Sequence, residues 1–226
     1  MIAAAAGKFG IDLLIGAALQ MTRDEPDGEL RSWGLAYCYG NRLEAAKVGL
    51  GAGQKPDLER LADVRTDMAV LALGLSNEQE TPVLQPLLRK EKKQTWAFCS
   101  GAGLPRPEGL DTGRLRPQGD SVQELLFLHL LSRLKSEDPV GSVRTTLEAM
   151  DVEAGLVFLL LGAEVLVAAR WIGTAQPEEK SEMWLGQGPL LRIVAPTPLR
   201  ELERVEWGKL GNRSVMAITR LRRPIG

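Results

Sequence analysis

Histidine is almost missing from this chain: His129 is the only one in 226 residues, beside two cysteines, Cys38 and Cys99. Both cysteines fall in apolar, strand-like segments without metal-ligand spacing, so buried free thiols are expected, and neither a metal nor a cofactor is. An excess of charge of either sign is also lacking. The 28 Lys and Arg against 29 Asp and Glu leave a formal net charge of -1, and the longest basic block, "RKEKK", is interrupted by Glu91. Nucleic-acid binding therefore has no electrostatic support. Uninterrupted apolar runs are too short for a membrane span. The longest, "AGLVFLLLGAEVLVAA", is broken by Gly162 and Glu164 and reads as a buried hairpin. At the start of the chain, Lys8 and Asp12 interrupt the apolar stretch and no charged region precedes it, which argues against a signal peptide and for a cytoplasmic setting. The glycines of "GQGPLL" and "GAGLP" lack the strand-to-helix setting of a phosphate loop.

What is present is a core-forming pattern long enough for one domain over residues 1–226. Ile2 to Ala6 reads as a strand and Phe9 to Met21 as a helix. "SWGLAYCYG" and "RLEAAKVGL", joined at Gly40 and Asn41, read as a hairpin, and "KPDLERLADVR" as a short helix. "DMAVLALGLS" and "QTWAFCSG" read as buried strands joined by a loop through Pro82 and Pro86. Helices are expected over Ser121 to Leu134 and Val143 to Met150. Strands follow at 156–161, 165–171, 182–185, 190–195 and 214–220. Strands, then two helices, then strands predict a layered α+β domain with antiparallel sheets.

Several segments read together carry a resemblance. "PDGELRSWGLAY", "LQPLLRKEKKQTWAFCSGAGLP", "RPQGDSVQELLFLHLL" and "RIVAPTPL" are similar, in order and approximate spacing, to the segments of class II glutamine amidotransferase domains. The resemblance implies a four-layer α-β-β-α sandwich of two antiparallel sheets between helical layers, the N-terminal-nucleophile hydrolase fold. In that family an N-terminal cysteine attacks the γ-carboxamide of glutamine, and its free amine is the base. An Asn side chain and a Gly amide hold the oxyanion, and an Arg and an Asp hold the substrate's α-carboxylate and α-amino groups.

Each of those roles needs a polar atom, and the matching positions here have lost it. Position 2 is Ile2, too bulky for removal of the preceding methionine to be expected. The family's His-Asn-Gly triplet falls on Ser100, Gly101 and Ala102, the Arg position on Ala72, and the second Asp of the family's "GDTDSE" on Val122. Gly119, Asp120 and Glu124 remain. A former pocket lined by Ile2, Ala72, Ala102 and Val122 would be mostly apolar.

The expectation is a catalytically inactive member of the family that acts through a protein partner, a second copy of itself, or a small ligand in the vestigial pocket. The rival reading is a glutamine or γ-glutamyl amide hydrolase whose nucleophile has moved to Cys99 or Ser100. A purely structural homo-oligomer subunit is a third. His129, in mid-helix beside an apolar stripe, reads as structural or partly exposed. The five tryptophans read as core, and "RLRRP" from Arg220 as a solvated tail.

Overall fold

The computed structural model describes residues 1–23, 29–51, 61, 63–76, 83–101, 104, 107–150, 155–173, 181–199 and 202–220. In chain order the elements are β1 (Ile2–Gly10), α1 (Ile11–Arg23), β2 (Glu29–Tyr39), β3 (Arg42–Gly49), β4 (Arg65–Ser76), β5 (Leu87–Glu91) and β6 (Gln94–Ser100). They continue with α2 (Val122–Arg133), α3 (Pro139–Glu148), β7 (Leu156–Leu161), β8 (Val165–Trp171), β9 (Trp184–Gln187), β10 (Leu191–Ala195), β11 (Glu206–Lys209) and β12 (Ser214–Thr219).

Two antiparallel sheets result, one ordered β11-β9-β10-β1-β4-β2-β3 and the other β12-β8-β7-β6-β5. Three clusters of buried residues define the layers. Ala3, Ala5, Leu35 and Leu71 on one face of the larger sheet pack with Ile11 and Leu14 of α1. Ile2, Ala4, Val70 and Ala72 on its other face meet Cys99, Leu159 and Ala168 of the smaller sheet. The far side of the smaller sheet, with Phe98, Phe158 and Val167, packs under Leu126, Leu130 and Leu147 of α2 and α3. This is the expected α-β-β-α sandwich.

Alanine is the best helix former, yet Ala3 to Ala6 form a strand at 0–3 % exposure. Their alternate methyl groups line two different cores, so tertiary packing overrides propensity. The strand is flanked on both sides, pairing with β10 and β4. At Gly7 (φ +137°) the register with β4 slips, and a side chain there would collide with the Leu190 carbonyl.

The β2–β3 hairpin turns at Gly40 and Asn41 as expected, with Gly40 at φ +60°. The structure adds a strand, β5, where only a loop was expected, and a second, β11, that was not assigned. Helix α3 starts at Pro139 rather than Val143, with Asp138 capping the Gly141 amide. Most of the expected 55–65 helix lies outside the described residues. Trp33, Trp96 and Trp171 are buried, whereas Trp184 and Trp207 are only half-buried. Of the expected tail, Arg220 is tied into the fold: its guanidinium donates twice to Asp67 Oδ2, at 2.8 and 3.0 Å, and to the Gly40 carbonyl at 2.6 Å, while 221–224 lie outside the described residues. No helix among the described residues is long and apolar enough to cross a membrane.

Candidate functional site

The strand register brings two of the expected site positions face to face. Ile2 of β1 stands opposite Ala72 of β4, each 5 % exposed, and both belong to the apolar cluster between the sheets. Just before them, the Met1 amino group donates to the Leu73 carbonyl at 2.6 Å and the Leu73 amide donates to the Met1 carbonyl at 2.8 Å. Polar side chains are buried on the same faces of these strands: Thr66, whose Oγ1 lies 2.8 Å from the Cys38 carbonyl, and Arg170, 2 % exposed, whose Nε donates to the Ser181 carbonyl at 2.8 Å.

Cys99 is fully buried there. Burial pushes its thiol well above the usual range, with the Met1 amino group pulling weakly the other way. A thiol so held stays protonated at neutral pH, and the thiolate is the nucleophile. Cys38, whose thiol points at the Gly162 and Ala163 carbonyls, is pushed up to about 11 by burial, against the pull of Arg220. Both thiols are free.

Alternation along β6 sends the neighbouring side chain the other way. Ser100 pairs with Phe158, which belongs to the core beneath α2, so Ser100 and Cys99 lie on opposite faces of one strand. Its Oγ is buried and has no hydrogen-bond partner. The Ser100 backbone is held by Gln85: its amide donates to Gln85 Oε1 at 2.6 Å, and Gln85 Nε2 donates to its carbonyl at 3.3 Å. The Gln85–Pro86 peptide is cis, and the segment runs so close to β2 that a side chain at Gly34 would collide with the Gln85 carbonyl. The Gly101 amide donates to the Val157 carbonyl at 2.8 Å. Both backbone donors at the start of this loop are thus already engaged. Ala102 lies outside the described residues.

The "GDSVQE" segment is a helix cap. Ser121 Oγ accepts from the Glu124 amide at 3.2 Å, and the Glu124 carboxylate accepts from the Gln118 and Gly119 amides at 2.7 and 2.8 Å. Glu124 therefore has a structural task independent of any substrate. Val122 opens α2, half-buried, and is in none of the three core clusters, so the structure does not bring it together with Ile2 and Ala72.

His129 sits further along α2, 5 % exposed. Its Nδ1 lies 2.9 Å from the Asp111 amide nitrogen and 3.0 Å from the Asp111 carbonyl oxygen, and Arg133 Nη1 is 3.3 Å away. Burial, and then the nearby Arg133 charge, lowers its pKa. The ring is thus engaged with Asp111 and Arg133 on the helical side of the smaller sheet, and no hydrogen bond joins it to Ser100 among the described residues. Sequence reasoning missed the Gln85 clamp. It also missed a cavity of about 450 Å³ between α2 and α3.

This layer order is the fold of class II glutamine amidotransferases, as comparison with solved structures shows. The chain is similar to the glutamine phosphoribosylpyrophosphate amidotransferase of B. subtilis, with TM-score 0.63 and 14 % identity over 96 % of this chain and 48 % of that one. It thus spans about half the length of that enzyme. A predicted glutamine amidotransferase of Pseudomonas aeruginosa PA01 aligns with TM-score 0.59 and 11 % identity, over 96 % of both chains. A glutamine aminotransferase class-II domain protein of Silicibacter pomeroyi aligns with TM-score 0.56 and 15 % identity, over 96 % of this chain and 94 % of that one. No protein-family model and no curated protein sequence matches the chain.

Proposed function

We propose that the chain is a single, catalytically inactive class II glutamine amidotransferase-like domain that works by binding, as a scaffold or regulatory subunit in the cytoplasm. The observation that supports this reading is the pairing of Ile2 with Ala72 in a hydrophobic cluster between the sheets, where glutamine chemistry needs a nucleophile and a carboxylate clamp. Ile2 offers no nucleophilic atom and Ala72 no charge. Losing a single oxyanion donor already lowers rates roughly 100- to 1000-fold, and here Gly101 replaces the family's Asn as well. Binding to a protein partner or to a second copy of the chain follows as the remaining use of a retained framework.

One observation favours the rival amide hydrolase: Ser100 Oγ is buried without a partner, as a poised hydroxyl would be. Among the described residues it has no histidine, lysine or carboxylate as a base within hydrogen-bonding reach, and Cys99 is a sealed neutral thiol.

The test is a hydrolysis assay at near-stoichiometric protein against glutamine and a panel of γ-glutamyl amides, with Cys99→Ala and Ser100→Ala alongside. We expect no turnover above the variants. Turnover abolished by either substitution would identify a relocated nucleophile and end the inactive reading.

A further inference from the structure

The smaller sheet ends in β5, and the outer edge of that strand is open. The Gly101 amide donates to the Val157 carbonyl, so alternation turns the peptide groups of Cys99 and Ala97 toward β7. Those of Phe98, Trp96 and Gln94 turn toward β5, where they meet Leu87, Arg89 and Glu91. The peptide groups of Leu88 and Lys90 therefore point away from the sheet, and nothing among the described residues bonds to them. The Leu88 side chain, 42 % exposed, adds apolar surface to this edge.

Charge sets β5 apart from the other strands that end a sheet. β3 mixes Arg42 and Lys47 with Glu44, β11 carries Glu206 and Lys209, and β12 carries no charge. Around β5, residues 87–95 and 112–118 hold six basic side chains, Arg89, Lys90, Lys92, Lys93, Arg114 and Arg116, against the one carboxylate of Glu91. The fold draws the two segments together. Arg114 Nη2 pairs with Glu91 Oε1 at 2.5 Å, and Arg89 Nη2 donates to the Arg116 carbonyl at 3.1 Å. Glu91 is thereby neutralised, and this edge is positive although the whole chain stands at -1. Basic side chains on an edge repel a second copy of the same edge. They admit a strand of the opposite sign.

We propose that β5 is a docking edge for an acidic, extended segment of a protein partner, which joins the smaller sheet as a further strand. Its main chain bonds to the Leu88 and Lys90 peptide groups, and its carboxylates lie beside Arg89, Lys90 and Arg116. This gives the binding role proposed above its surface and rests on that reading for its purpose. Capture at β5 and amide turnover between the sheets are separate measurements, so either can fail alone.

The test uses the full ¹⁵N-labelled chain and a capped seven-residue peptide of alternating glutamate and valine. The control is the same peptide N-methylated at every residue, which keeps the charge and removes every main-chain donor. The expected result is saturable binding with Kd on the order of 0.1 mM at low salt, weakened by added sodium chloride and at least roughly 10-fold weaker for the control. At saturation the Leu88 and Lys90 amides should exchange with water roughly 10-fold more slowly, while the Arg89 amide, already turned to β6, is unchanged. Lys90→Glu and Arg116→Glu, both at exposed positions, should each weaken binding by about 5-fold. Equal binding of the methylated peptide, or binding that leaves the two amides unprotected, reduces the effect to charge attraction and overturns the proposal. Absence of binding overturns it as well, and leaves the basic edge as a guard against self-pairing.

Discussion

The two faces of the five-stranded sheet differ in kind. Toward the larger sheet, β6, β7 and β8 present Ala97, Cys99, Leu159, Leu161 and Ala168 to the alanines of β1, and Arg170 is buried on the same face of β8. Toward the helices, the same strands support a layer whose outer side carries His129, Asp111, Arg133, Lys135 and a cavity. In the amidotransferase family the chemistry belongs to the first of these regions. Here the cavity and the cluster of His129, Asp111 and Arg133 stand on the second. Removing reactive atoms from a pocket between two sheets costs the fold nothing, because methyl groups fill the space that charged groups would have occupied and need no partners. A retained fold is therefore no guide to where a protein of this architecture does its work.

The sharpest way to break this contrast is to put a charge back. Ala72→Arg restores the residue type that the family has at this position, facing Ile2 in a 5 %-exposed setting. An unpaired buried charge should lower stability by about 3–5 kcal/mol, measured as a shift in the urea midpoint. A variant that unfolds within about 1 kcal/mol of the wild type would mean that the space is open and wet, and the account of an emptied, closed site would fall.

A second, smaller effect separates framework from function in the "GDSVQE" segment. Glu124 accepts two backbone amides, whereas Asp120 is exposed and has no partner among the described residues. Glu124→Ala should destabilise by about 2 kcal/mol through the two charge-assisted bonds, and Asp120→Ala by no more than about 0.5 kcal/mol. Equal effects in urea titrations would show that the cap is not what keeps Glu124 in place.

How far the sequence foretold all this varied with the kind of order involved. Buried strands such as β4 and β7 announce themselves as continuous apolar runs, and the N-cap of α2 as a serine three residues ahead of a glutamate. Strand β5 does not. It is a five-residue edge strand behind Pro86, with Arg89 and Glu91 in its alternating pattern, and edge strands tolerate charge and proline. Strand β11 is an edge strand of four residues, too short for any period to show. The opposition of Ile2 and Ala72 follows from register, which family-like spacing approximates. The Gln85 clamp on Ser100 depends on how closely two segments approach, and the α2–α3 cavity on how two helices diverge. Neither is a property of local pattern.

The smallest expected effect is the most selective, because a single residue can cause it. His129 is the one imidazole, and burial followed by the Arg133 charge lowers its pKa in the folded state. Below the unfolded value of about 6.5 the unfolded chain therefore binds a proton that the native ring declines. With more protons bound in the unfolded state, stability rises with pH. It is complete above about pH 6.5 and declines as pH falls from there toward the lowered native value. Asp111, whose carboxyl is held below its usual range by the Gly113 amide and then by Arg133, works in the same direction only at more acidic pH, where carboxylates titrate. Urea midpoints at pH 7.5 and 5.5 should thus fall together with acidification in the wild type and stay closer in His129→Gln. If the variant keeps the whole decline, the ring is free to protonate, and the polar side of the sheet is looser than its hydrogen bonds indicate.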